Sequence, residues 1–135
     1  MNRIFYRKVP KRWKYQLTKS YEHNLHFNVR SAFPSPETVA SIPGQLHLYT
    51  TGRLLIENGY AWDGPSGPTF NTESSMRGSL VHDALYQLIR EGLLPASLKP
   101  TCDRELRLVC IEDGMWRWRA RLWEWMLVQF GWTAL

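Results

Sequence analysis

The chain has 135 residues, 44% hydrophobic and 13% aromatic, which is enough apolar material for a packed core and too much for a disordered tail. Its net charge of +5 favours anionic partners such as phosphate headgroups, nucleic acid or acidic protein surfaces without choosing among them. The sequence holds no helix-turn-helix pair or metal finger, which argues against nucleic acid.

The length fits one domain spanning residues 1–135. The positive charge gathers in two places. Arg3, Arg7, Lys8, Lys11, Arg12, Lys14 and Lys19 crowd the start, and a second group runs from Arg117 to Arg121. "MNRIFYRKVPKRWKY" is basic and lacks the apolar core of a secretion signal, while Trp125 to Leu135 is too short to span a bilayer. The expected location is therefore a cytoplasm, with carriage on a particle left open.

Residues 1–60 read mainly as strands. In "YEHNLHFNV", Tyr21, His23, Leu25, Phe27 and Val29 alternate with Glu22, Asn24, His26 and Asn28, the period of a half-buried strand. A weaker alternation covers Trp13, Tyr15 and Leu17. "SAFPSPETVASIPG" reads as loop with at most one helical turn between Pro36 and Ala40. "QLHLYT" and "RLLIENGY" form a predicted hairpin through Gly52, with a further turn at Asn58 and Gly59.

Residues 61–76 read as loop, and three helices are predicted over 77–91, 97–113 and 115–130. Sheet first and helices second is the order of an α+β domain, an N-terminal antiparallel sheet followed by three packed helices. Cys102 and Cys110 fall eight residues apart on the second helix, about 12 Å along its axis, so they do not form a disulfide.

The first helix carries "LVHDALY". His82, Tyr86, Arg90, Asp83 and Gln87 share one arc, and Leu80, Val81, Ala84, Leu85, Leu88 and Ile89 fill the other. This is the pattern of any amphipathic surface helix. Three features point further. The polar arc near His82 holds residue types that prefer hydrogen-bonded, partly buried places. The preceding "GYAWDGPSGP" is a stiff loop rich in glycine and proline, whose backbone can approach a ligand closely. Asp103 sits at the edge of an apolar stripe of Cys102, Leu106, Val109 and Cys110, where an antiparallel second helix would bring it to His82.

A histidine held by a carboxylate is a general-base arrangement for activating water, and Asp83 beside it suits a hard cation such as calcium together with loop carbonyls. The plainer alternatives are a simple strand-to-helix turn and an Asp103 that only caps its helix after Pro100 and Thr101.

"GYAWDGPSGPTF" followed by "MRGSLVHDALYQLIREGLL" and an aspartate-bearing helix resembles an uncharacterised family of small phage and prophage proteins, over roughly Gly59 to Met115. That resemblance implies phage origin, with a role in the host cytoplasm or on the virion. The ordered constellation is also similar to the phospholipase A2 site. It implies His82 as base, Asp103 as its orienting partner, Tyr86 as a supporting hydroxyl and Asp83 as calcium ligand. Carbonyls of the Trp62 to Gly67 loop, through Trp62, Gly64 and Gly67, would complete the cation site, with Asp63 and Ser66 supporting the loop. The secreted phospholipases carry several disulfides and lack a sheet-rich N-terminal half, and this chain departs from them in both respects. A histidine followed by aspartate is also similar to metal-dependent phosphohydrolases, but the upstream candidate His47 lies in a predicted strand where that family has a helix. His23, His26 and His47 show no helical metal spacing, and His23 and His26 are expected on opposite faces of their strand.

"MWRWRARLWEWMLVQFGW" carries five of the seven tryptophans. Its apolar arc is too wide for one covering surface. Burial between sheet and helices is one solution; a membrane-interface helix or a face for phage or host proteins, presented by Trp116, Trp118, Trp123 and Trp125, is the other. Arg119 lies within that arc and calls for an acidic partner, Asp113 or the His82 cluster.

Overall fold

A computed structural model of the protein describes residues 3–9, 14–64 and 73–131, in an α+β fold with antiparallel strands first and three helices after. The chain divides into two compact units, Met1–Asp63 and Gly64–Leu135.

The first unit holds two antiparallel sheets. Strands β1 (Tyr6–Val9), β2 (Lys14–Leu17) and β7 (Ala61–Trp62) form one in the order β1-β2-β7. Strands β3 (Tyr21–Asn24), β4 (Val39–Ile42), β5 (Leu46–Tyr49) and β6 (Arg53–Ile56) form the other, in the order β3-β6-β5-β4. The period-2 pattern decides what is buried: Leu46, Leu48, Leu54 and Ile56 are wholly enclosed, while His47, Tyr49, Arg53 and Leu55 face the other way. Gly52, at φ 89°, makes the β5–β6 turn in the left-handed region that glycine enters without strain. Bonds from Leu17 N to Tyr60 O and from Gly59 N to Leu17 O tie β2 to the approach of β7.

Three expectations change here. "YEHNLHFNV" keeps its alternating burial to Val29, but its pairing with β6 stops at Asn24 opposite Arg53. The chain bends after that point, so the rings of His23 and His26 lie 6.0 Å apart rather than on opposite faces. The helical turn comes at Arg30–Ala32, where the Asn28 side chain accepts the Arg30 N–H, and Val39–Ile42 is a strand despite the flanking prolines. Trp13 lies outside the described residues.

The second unit is built from α1 (Glu73–Arg90), α2 (Lys99–Glu112) and α3 (Arg117–Phe130). Helix α1 begins four residues before the predicted start, with Glu73 favourably placed against the helix dipole in the first turn. Helices α1 and α2 run antiparallel. Arg77 near the start of α1 forks onto Asp113 just beyond α2, with Nε 3.0 Å from Oδ2, and also reaches Glu112. Between these ends Gly78 lets the helices touch: a Cβ built there would stand 2.5 Å from Cys110 Sγ and 3.3 Å from the Leu106 carbonyl. Helix α3 packs on α2 through Leu106, Cys110, Met115, Ala120 and Trp123. Both cysteines are free and buried. No helix of the described residues is long and apolar enough to cross a membrane.

Candidate functional site

The arc of α1 that carries His82 is not left to water. His82 and Tyr86, one turn apart, are as buried as the leucines opposite them, while Asp83 and Gln87 are half-buried and only Arg90 is exposed. Asp103 of α2 packs against His82 and Tyr86, and Gly131 at the end of α3 packs against Tyr86.

At the centre stands the Asp103 carboxylate, fully enclosed. Its Oδ1 lies 2.7 Å from His82 Nε2 and accepts the Tyr86 hydroxyl at 2.5 Å; its Oδ2 accepts Lys99 Nζ at 2.8 Å. Lys99, also fully enclosed, donates to the Leu127 carbonyl at 2.7 Å and so binds the last turn of α3. Gly131 packs against the same group, where an added Cβ would meet Tyr86 Oη at 2.7 Å. The His82 and Tyr86 rings are 4.0 Å apart, centroid to centroid. Asp103 is therefore not a helix N-cap. It sits in the second turn of α2, whose N-cap is Leu98.

The electrostatics follow from this packing. Burial opposes charge on His82, yet the Asp103 and Asp83 carboxylates outweigh it and raise the imidazole above its ordinary value. Burial likewise works against ionised Asp103, but donation from His82, Lys99 and Tyr86 prevails and lowers its carboxyl. Burial, then the bond to Asp103, pushes the Tyr86 phenol up. The centre is thus a carboxylate shared by an ammonium, an imidazole and a phenol. With Nε2 turned to Asp103, the other ring nitrogen, Nδ1, lies on the side of Asp83, 3.9 Å from its carboxylate. A neutral ring held this way keeps its lone pair on Nδ1, the atom that can take a proton.

The structure brings together His82, Asp103, Tyr86 and the flanking Asp83. Trp62 belongs to strand β7, opposite Tyr15, with its ring buried against Tyr15 and Tyr6. Asp63 is exposed and Gly64 is buried at φ 83°. Ser66 and Gly67 lie outside the described residues. As a ligand for a hard cation, Asp83 offers one half-exposed carboxylate beside His82, a fit for a single position of such a site. Of the two acidic partners expected for Arg119, Asp113 or the His82 cluster, Asp113 accepts from Arg77. Of the four tryptophans, only Trp123 is buried.

Two groupings escape a reading of the sequence. Lys99, four residues before Asp103, looks like half of an ordinary surface pair; only the arrival of α3 encloses it. On the outward face of the second sheet, Ser41 Oγ lies 2.9 Å from His47 Nδ1, and His47 Nε2 lies 2.5 Å from Glu57. Ser41 and His47 are cross-strand partners in the β4–β5 register, a relation visible only once β4 is recognised.

Comparison with protein-family profiles, with curated proteins and with solved structures finds no match.

Proposed function

We propose that this chain is a small phage-encoded hydrolase that cleaves an ester, with lipids as the leading substrate class, and that His82 is the base that activates water. The observation that supports this most is the 2.7 Å contact of His82 Nε2 with a buried Asp103, whose same oxygen accepts the Tyr86 hydroxyl. That geometry orients the ring and leaves Nδ1 as the proton acceptor. Water bound at Nδ1 gives up a proton as its oxygen adds to the ester carbonyl. The imidazolium that forms is stabilised through Nε2 by Asp103, and its new proton then passes to the departing alkoxide. A calcium ion held at Asp83 would stabilise the oxyanion. Tyr86 and Lys99 keep Asp103 ionised and in place.

The test is fatty-acid release from phosphatidylglycerol in mixed micelles during a calcium titration. The proposal expects release that rises with calcium in the wild type and is lost in Asp83→Asn. Absence of release from this lipid and from nitrophenyl esters, at every calcium concentration, contradicts it.

A second reading is favoured by Lys99, whose bond to the Leu127 carbonyl ties α2 to the end of α3 whether or not His82 acts as a base. A non-catalytic phage protein, acting in assembly or on a host partner, would use the same four side chains only to lock α1, α2 and the end of α3 together. In that case His82→Gln changes stability and no turnover exists to lose.

A further inference from the structure

Helix α3 buries little of its apolar surface for so aromatic a segment: among its side chains only Ala120 and Trp123 are buried. Trp116 at its N-cap, Trp118, Trp125 and Phe130 are 70%, 62%, 56% and 66% exposed, and Leu122 is exposed as well. Trp118, Leu122 and Trp125 follow the i, i+4, i+7 spacing and form one stripe opposite Ala120 and Trp123. Isolated exposed apolar residues are ordinary; a contiguous aromatic stripe marks a surface that meets something.

The charge beside the stripe indicates what it meets. Arg117 and Arg121 are exposed along one flank. The acid of α3, Glu124, is taken by Arg107 of α2, whose Nε lies 2.7 Å from its carboxylate. An open groove of about 510 Å³ runs there, lined by Arg107, Arg121, Glu124, Trp125 and Val128, and so sets two guanidiniums next to an exposed indole. Indole at the level of lipid headgroups with arginine reaching phosphate is the composition of a helix lying in a membrane interface. A second copy of the chain fits less well, because it would bring the same Arg117 and Arg121 to the contact while the acid of α3, Glu124, is already engaged by Arg107.

From these observations we infer that the Trp118, Leu122 and Trp125 face of α3 docks on anionic phospholipid bilayers, with Arg117 and Arg121 taking phosphate. The indoles enter the headgroup layer and the helix lies flat without crossing. This docking stands apart from the catalytic reading, since none of its residues belongs to the His82 cluster.

The experiment is co-sedimentation of the full chain with sucrose-loaded vesicles of phosphatidylcholine alone or mixed with phosphatidylglycerol. Binding to the anionic vesicles is expected to exceed that to the neutral ones by at least about tenfold at low salt, and to weaken as salt rises. Trp118→Ser/Trp125→Ser should lower partitioning by at least about tenfold while circular dichroism and melting stay as in the wild type, because both side chains are exposed. Arg117→Gln/Arg121→Gln should remove the preference for phosphatidylglycerol, and His82→Gln should bind as the wild type does. Three results overturn the inference: no binding to anionic vesicles, unchanged binding by the tryptophan variant, or a dimer in sedimentation that the tryptophan substitutions dissolve.

Discussion

Lys99 and Asp103, one helical turn apart on α2, are joined Nζ to Oδ2 at 2.8 Å with neither side chain reaching solvent. A cation so enclosed depends on its counter-charge. Asp103→Asn should therefore destabilise the fold by about 3–5 kcal/mol, read as a lower urea midpoint, because it strands both Lys99 and the His82 ring. Lys99→Met should cost less, since His82 can still neutralise Asp103. Equal costs would show that the lysine is the chief counter-charge of Asp103 and that His82 does not replace it.

The same cluster sets a pH profile. The folded value of His82 is raised above 6.5, so its contribution to stability is fully present below that pH and is lost as pH rises through the folded value. The folded value of Asp103 is lowered below 3.8, so its contribution is present above that pH and is lost as pH falls through the folded value. Unfolding free energy measured in urea should peak between these limits and decline on both sides. Turnover should behave differently. On the proposed mechanism it requires neutral His82, so it should rise with pH through a value above the ordinary histidine one.

Gly78 is a point of close approach between α1 and α2, and Gly78→Ala places a methyl 2.5 Å from Cys110 Sγ. The expected loss is about 1–3 kcal/mol in chemical unfolding. Cys110→Ala in the same background should recover part of it by giving the methyl room. If the double variant is no better than the sum of the two changes, the clash lies with the Leu106 carbonyl instead.

Burial pushes the thiols of Cys102 and Cys110 up to about 12. Neither should react with a disulfide reagent at pH 8 while the chain is folded, and both should react once it is unfolded in guanidinium. Prompt labelling of either in the native protein would mean that the α1, α2, α3 packing opens readily.

What could be read ahead of the structure was what depends on local period. The strand-then-helix order, the hairpin through Gly52 and the shared arc of His82 and Tyr86 all follow from spacing along one element. Asp103 was legible as a candidate because it borders an apolar stripe. Lys99 was not, because its burial comes from carbonyls some thirty residues later, at the end of α3. Strand β1 was hidden by its basic side chains, and β4 by prolines on either side. For α3 the width of the apolar arc could be read, but the choice between core and exposed face depended on how little of it α2 covers.

The proposal that His82 takes a proton from water is tested by steady-state hydrolysis with His82→Gln. The amide of glutamine can still donate toward Asp103 but cannot serve as a base. If His82 is the base, kcat falls at least about a hundredfold, the usual scale for removing a general base, while the melting temperature stays close to that of the wild type. Retained turnover in a folded His82→Gln protein would contradict it.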